Sequence, residues 1–366
     1  VIVVCRRANR LDPAVFAGND KEYFMTKIPT ARGDEIDSSD LGFTLVTECV
    51  IGPRTAEVEA NWPQMGFASI AREERISEAA KQLEHAKSAG IDTISDRVIP
   101  GAGRDVRLLK EIAQRTSVNI IVPTGWYTWT DAPHPFMLMD MLPETAATTW
   151  PSLADLFVKD IEEGILDTGV RAGTIKITSD HHGLMDGVKL VMRHAAEAHR
   201  RTGVPIVTHT GIGLGIRVAQ DQQDYLEQLD VDVSRVKFGH VDWTDPSVEL
   251  EEFEAVAKKG SFLSFDTSAL DYQWPEDYRN AIQKTRVERI TGLIDRGYLE
   301  QILISQDDST FHDLGPMPER QHPTYTTVLR RIIPQLQEAG VTDDQIHQIT
   351  VANPRRLFET RDRGTY

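Results

Sequence analysis

The sequence predicts an α/β protein built as one closed (β/α)8 barrel, the TIM-barrel architecture, over residues 25–366. Short β-rich apolar runs alternate with longer stretches of helical periodicity, which is the signature of βα units around a parallel sheet. Eight such runs occur, and NIIVPTG, VPIVTHT and QILISQD among them are almost continuously apolar, as strands covered on both faces must be. Eight strands with helices between them favour closure over an open sheet.

In chain order the strands are expected at 41–46, 91–95, 118–123, 173–177, 205–208, 236–239, 261–265 and 301–305. Asp245 reads as an N-cap with Pro246 at the first helical position, followed by Leu250, Phe253 and Ala257 at helical spacing. Leu329, Ile332, Ile333 and Leu336 mark another amphipathic helix, stopped near Gly340. Gly90 and Gly203 stand where helices turn into the next strand, and Gly260 precedes a further strand in the same way. Residues 1–24 differ in character from the rest of the chain, and MTKIPTARGDEIDSSDLG from Met25 reads as a natural start. The first 24 residues are therefore expected to be an upstream extension, a non-native leader or a plain N-terminal arm. No short-period repeat, low-complexity segment or linker divides the remainder.

Composition narrows the function. With 40% apolar and 26% charged residues the chain can bury a sizeable core without disulfides. Its two cysteines, Cys5 and Cys49, exclude a disulfide framework and favour a reducing, cytoplasmic compartment. A formal charge of −16 argues against nucleic acid and against an anionic membrane surface, both of which demand clustered Lys and Arg. No apolar run reaches the length of about 18 residues that a membrane-spanning helix needs.

In a barrel, chemistry sits where strands end, because the loops there converge on one mouth. The polar residues ending these runs are Thr47, Glu48 and Cys49 after the first, and Asp96 after the second. Thr124 to Tyr127 follow the third, Lys176 lies on the fourth, His209 and His240 end the fifth and sixth, and Asp307 ends the eighth. Neutral imidazole and carboxylate suit zinc first, with cobalt, manganese or iron as alternatives. A lysine inside an apolar strand is costly unless neutralised or modified, and reaction with carbon dioxide would turn its amine into a carbamate able to bridge two cations. Taken singly, each of these residues is more often a satisfied polar group, a snorkelling lysine or a loop cap. Four of them at the ends of four strands, in barrel order, outweigh that reading. Glu48, between Thr47 and Cys49, should face away from both and serve structure. His181 and His182 fall in the loop after the fourth strand, where solvated histidines are the commoner case. Trp126 and Trp129 are candidates to wall an apolar pocket.

Together the segments DLGFTLV, PGAGRD, TGWYTW, GTIKI, PIVTHT, KFGHVDW, ILISQDD and VANPRRLF resemble the phosphotriesterase-related and phosphotriesterase-like lactonase family of the amidohydrolase superfamily. The likeness runs over residues 40–358. It implies a two-metal site at the barrel mouth, with Lys176 as a carbamylated bridging ligand and His209 and His240 on the more exposed metal. Asp307 would bind the more buried metal and accept a proton from the attacking water. Tyr127 would lie beside the metals, and the substrate would be a small-molecule ester; Trp126, read from its position alone, is a candidate substrate contact or simply packs its own loop. The implied activity is hydrolysis of an ester bond, in a lactone or an organophosphate triester, by a metal-activated water. A homodimer is the oligomeric state the likeness implies.

One departure matters. The family's first strand ends in His-x-His, whereas here Thr47-Glu48-Cys49 stands in its place. Threonine is a poor ligand for a transition metal and a cysteine thiolate a strong one for zinc. Three readings are open: one metal at Lys176, His209 and His240; two metals with Cys49 as substitute ligand; or impaired catalysis. FDTSAL after the seventh strand also replaces the Arg-containing loop of typical lactonases. The rival from another class is a non-catalytic barrel that binds a small molecule or a partner.

Overall fold

A computed structural model describes residues 26–52, 61, 70–142, 150–211, 213–311 and 324–359. The segment 1–24, expected to be an extension, leader or arm, lies outside the described residues. Two short strands, β1 (Lys27–Pro29) and β2 (Glu35–Asp37), pair antiparallel ahead of the barrel, a hairpin that the sequence pattern does not announce. The barrel strands come next as β3 (Thr44–Glu48), β4 (Thr93–Asp96), β5 (Asn119–Ile121) and β6 (Pro123–Gly125). They continue as β7 (Thr174–Thr178), β8 (Ile206–His209), β9 (Val236–Phe238), β10 (Phe262–Phe265) and β11 (Ile302–Ile304). All pairings among them are parallel, in the orders β3-β4-β5 and β6-β7-β8-β9-β10-β11.

This is the expected (β/α)8 barrel, with β5 and β6 two pieces of one bent third strand. Pro123 at the bend has no N–H to give to a ladder. The ring closes between β11 and β3 through individual bonds, not a named ladder. Asp307 N donates to Thr47 O (3.1 Å), Cys49 N to Asp308 O (2.8 Å) and Thr47 N to Ser305 Oγ (3.1 Å).

Alternation along the strands sorts the two cores. Ile175, Ile177, Val236, Phe238, Leu263, Phe265, Ile302 and Ile304 pack outward against the helices. Val46, Ile121, Phe262 and Leu303 point inward and meet Ile28 of β1, Leu41, Leu357 and Phe358 as a separate plug. The same alternation sends Lys176 and Lys237 inward, at positions between outward-facing Ile and Phe or Val neighbours. Helices end on left-handed glycines at Gly90 (φ 108°) and Gly203 (φ 72°), as their places in the sequence predicted. One helix differs from expectation: it runs Leu250–Lys258, because Asp245 accepts from Ser247 N (2.9 Å) and closes a turn ahead of it. Among the described residues no helix is long and apolar enough to cross a membrane.

Candidate active site

Two strand-end imidazoles face each other at the mouth, His209 at the end of β8 and His240 just after β9, with ring centroids 4.7 Å apart. Each is backed by a carboxylate. His209 Nε2 lies 3.0 Å from Asp180 Oδ2, and His240 Nδ1 lies 2.8 Å from Asp266 Oδ1. An ionised carboxylate only accepts, so these ring nitrogens carry the proton and the opposite ones are bare lone pairs. His209 Nδ1 and His240 Nε2 are buried and have no hydrogen-bond partner among the described residues. Burial lowers the His209 pKa to about 4 and that of His240 to about 3, so both rings are neutral near pH 7. Burial alone would raise Asp180, but bonds from His209 and from His181 N outweigh it and hold the carboxyl well below its usual range.

Lys176, on β7, is buried among these groups and donates from Nζ to Thr208 O at 2.9 Å. Burial first, then the positive charges of Lys237 and Arg97, lower its pKa to about 7, so a large fraction is free amine at neutral pH. Backbone strain accompanies the chemistry: His240 (φ 59°) and Asp307 (φ 56°) both adopt the left-handed region. Asp266 Oδ1 holds the first by accepting His240 N (2.7 Å), and Thr47 O holds the second by accepting Asp307 N (3.1 Å).

The other half of the mouth is arranged differently. Thr47 Oγ1 is bonded to Lys237 Nζ and to Asp266 Oδ2 (2.5 Å), and Lys237 Nζ lies 3.2 Å from Asp266 Oδ2. Asp307 is ion-paired with the Arg97 guanidinium. Burial raises Asp307 to about 6 against the opposing pull of Arg97. Cys49 is fully buried in an apolar cluster with Val98 and Ala102, edged by Tyr127, and burial pushes its thiol well above the usual range. Among the described residues no three His, Cys, Asp or Glu side chains converge as a ready cation site. The geometry explains this: Asp307 is drawn to Arg97, Cys49 keeps its proton, and Lys176 is an amine.

Comparison with known proteins decides the ancestry of this arrangement. The sequence profile described as "Phosphotriesterase family" matches residues 26–358. The chain belongs to the phosphotriesterase family. Similar members include the "Phosphotriesterase homology protein" of Mycobacterium tuberculosis, 36% identical over 341 residues, which is 92% of this chain and 98% of that protein. The "Aryldialkylphosphatase" of Saccharolobus solfataricus is 31% identical over 338 residues, 91% of this chain and 99% of the other. The solved structure of the phosphotriesterase from Mycobacterium tuberculosis superposes with a TM-score of 0.79 at 36% identity, covering 91% of this chain and 98% of that one. As a phosphotriesterase-family member the chain is a hydrolase.

Of the residues that sequence reasoning named, Lys176, His209, His240 and Asp307 lie in one electrostatic neighbourhood at the mouth. Tyr127 stands with its ring centroid 5.9 Å from that of His209, and burial raises its phenol to about 12, so it stays a donor. Trp126 is placed elsewhere, on a cavity of about 230 Å³ shared with Phe136, Leu153, Phe157, Arg104 and Asp160. The indoles beside His209 are instead Trp129, stacked at 6.2 Å, and Trp243 at 6.5 Å. His181 lies mostly exposed against His182. Glu48 clasps the last loop, accepting from Ser305 Oγ (2.6 Å), Gln306 N (3.1 Å) and Asp308 N (2.8 Å).

Four residues escaped sequence reasoning: Arg97, Asp180, Lys237 and Asp266. Lys237 carried a usable signal, since it is a charge inside an apolar strand just as Lys176 is. Asp266 sits directly after β10 and is itself supported from behind. Its backbone N donates to Asp242 Oδ1 (3.2 Å), and Asp242 Oδ2 is held by the buried Arg286 Nε (2.7 Å).

Proposed function

We propose that the chain hydrolyses a small ester, a lactone or an organophosphate triester, with a divalent cation held by Lys176, His209 and His240. The carrying observation is the pair of bare nitrogens, His209 Nδ1 and His240 Nε2, each buried and each oriented by a carboxylate on the far side of its ring. Carboxylate-backed neutral imidazoles are how proteins present nitrogen ligands to metals, zinc first among them. Lys176 fits as third ligand once carbamylated: its free amine adds to carbon dioxide and releases one proton, leaving a carbamate oxygen as donor. When bound, the ion lowers the proton affinity of a water and polarises the oxygen of the scissile bond.

The chain's own groups supply the rest. Asp307, with a pKa of about 6, is suited to take a proton at neutral pH. Tyr127 keeps its phenolic hydrogen and can donate it to a substrate oxygen or to the leaving group. Trp129 offers an aromatic wall beside His209. The names of the archaeal aryldialkylphosphatase and the mycobacterial phosphotriesterase support the phosphotriester as a substrate class. A reducing, cytoplasmic setting is part of this reading, on the strength of the two cysteines in the sequence.

Elemental analysis of the purified chain tests the reading. At least one equivalent of a divalent transition metal is expected, with loss of both metal and turnover in Lys176→Ala and His240→Ala. Undiminished hydrolysis of lactones or aryl phosphotriesters by a metal-free preparation would refute it. Less than about half an equivalent of tightly held metal would favour a non-catalytic barrel instead.

A further inference from the structure

The inner half of the mouth, beside the end of the first barrel strand, already contains its positive charge. Lys237 is buried against Asp266, 3.2 Å away, and also reaches Thr47 Oγ1 and Val46 O (3.3 Å). Arg97 is paired with Asp307, and both side chains are largely buried. Two fixed cations thus meet two carboxylates, and each of these pairs is neutral with nothing added. A divalent ion placed there would bring two further positive charges into a site with little water to screen them. Its available donors are poor ones. Thr47 Oγ1 is already shared between Lys237 and Asp266, and the Cys49 thiol lies in an apolar cluster with Val98 and Ala102.

The outer half has the opposite balance. His209 and His240 are neutral, and the Asp180 carboxylate behind His209 is bonded to His209 and His181 but has no Lys or Arg partner among the described residues. A divalent ion together with a carbamate on Lys176 and the Asp180 carboxylate sums to zero there.

We propose that Arg97 and Lys237 stand as permanent replacements for a second metal ion, so that the inner position is closed to divalent cations and the chain binds a single one. This rests on the reading of Lys176, His209 and His240 as ligands. It explains how the first strand can end in Thr47 and Cys49 without leaving Asp307 and Asp266 as uncompensated buried charges. The altered strand and the two basic residues are then one coordinated change, not damage to an intact two-metal site.

The test is a metal count on the full chain, stripped with a chelator, reloaded with excess cobalt(II) in the presence of bicarbonate and desalted. One cobalt per chain is expected. Two per chain would overturn the proposal while leaving the outer ligands as read, and none would overturn both. The variant Thr47→His/Cys49→His, which restores ligands but keeps the basic pair, should still bind one. Adding Arg97→Ala and Lys237→Met to it should raise the count to two. A count of two in the double variant, or of one in a quadruple variant whose circular dichroism and melting are native-like, would overturn the proposal. Should the quadruple variant fail to fold, the wild-type and double-variant counts decide it.

Discussion

Replacing Asp266 with alanine should be among the most damaging single changes in the barrel, for reasons that need no catalysis. Its Oδ1 accepts from His240 N (2.7 Å) and from His240 Nδ1 (2.8 Å), while Oδ2 accepts from Thr47 Oγ1 (2.5 Å) and lies 3.2 Å from Lys237 Nζ. Burial alone would raise this carboxyl, but Lys237 and the His240 ring outweigh it and keep it well below the usual carboxylate range. Asp266→Ala strands the buried Lys237 ammonium, a loss of about 3–5 kcal/mol for a charge left without its partner. It also leaves the His240 N–H unmet, for about 1–3 kcal/mol more. The two losses share atoms and will not simply add, so a total on the order of 5 kcal/mol is expected. That is a large part of the stability of an ordinary domain, about 5–15 kcal/mol. Urea unfolding of the wild type, Asp266→Ala, Lys237→Met and the double variant measures it. Removing both charges should be milder than the sum of the single losses by at least about 2 kcal/mol. A single-variant loss below about 1 kcal/mol, or strict additivity in the cycle, would show that the pair does not bear the structural role argued for it.

Other outcomes depend on particular contacts. Gly125 approaches β7 so closely that an added Cβ would sit 1.9 Å from Lys176 O, at a φ of +127°, so Gly125→Ala should cost about 3 kcal/mol or more in thermal unfolding. An unchanged melting temperature would contradict that approach. Glu48→Ala leaves the amides of Gln306 and Asp308 without their acceptor and should cost about 2–4 kcal/mol, with Glu48→Gln recovering part of it; equal losses in the two variants would rule out the clasp. His199 is fully buried, contacts Val204 O through Nδ1 at 2.8 Å, and has its pKa lowered by burial to about 4. At this site the folded state therefore binds fewer protons than the unfolded chain, whose histidine titrates near 6.5, and the His199 contribution to stability should fall as pH drops from about 6.5 to about 4 and be constant below. The contribution is about 3 kcal/mol, and His199→Gln should lessen the slope of stability against pH in that window, which His209 and His240 share; an unaltered slope would exclude His199 as a source of it.

The barrel was legible in the sequence because both its signals are local. Strand interiors must be apolar on two faces, and strand ends must carry whatever polar groups reach the mouth. His209, His240 and Asp307 emerged from the second rule. What escaped was pairing, since nothing local in FDTSAL says that Asp266 takes up both His240 and Lys237, nor in DRV that Arg97 reaches Asp307. The helix expected from Asp245 began later, at Leu250, because an aspartate side chain closes a turn as readily as it caps a helix. Trp126 lines a cavity beside the helices with Phe136 and Leu153, whereas Trp129 stacks on His209, a division that position in the sequence does not reveal. The hairpin of β1 and β2 has strands of only three residues, too short for periodicity to register.

The closing seam has a consequence for how the chain is made. The amide of Thr47 finds its acceptor on Ser305, 258 positions further along the chain. A ribosome delivers the first strand long before the last, so the nascent polypeptide carries an unpaired, apolar strand edge through most of translation. Half-finished chains, truncations and slow codons late in the message should therefore be hazardous for aggregation. A helper that shields that edge until the final strand emerges would matter more here than for proteins whose contacts are short in range.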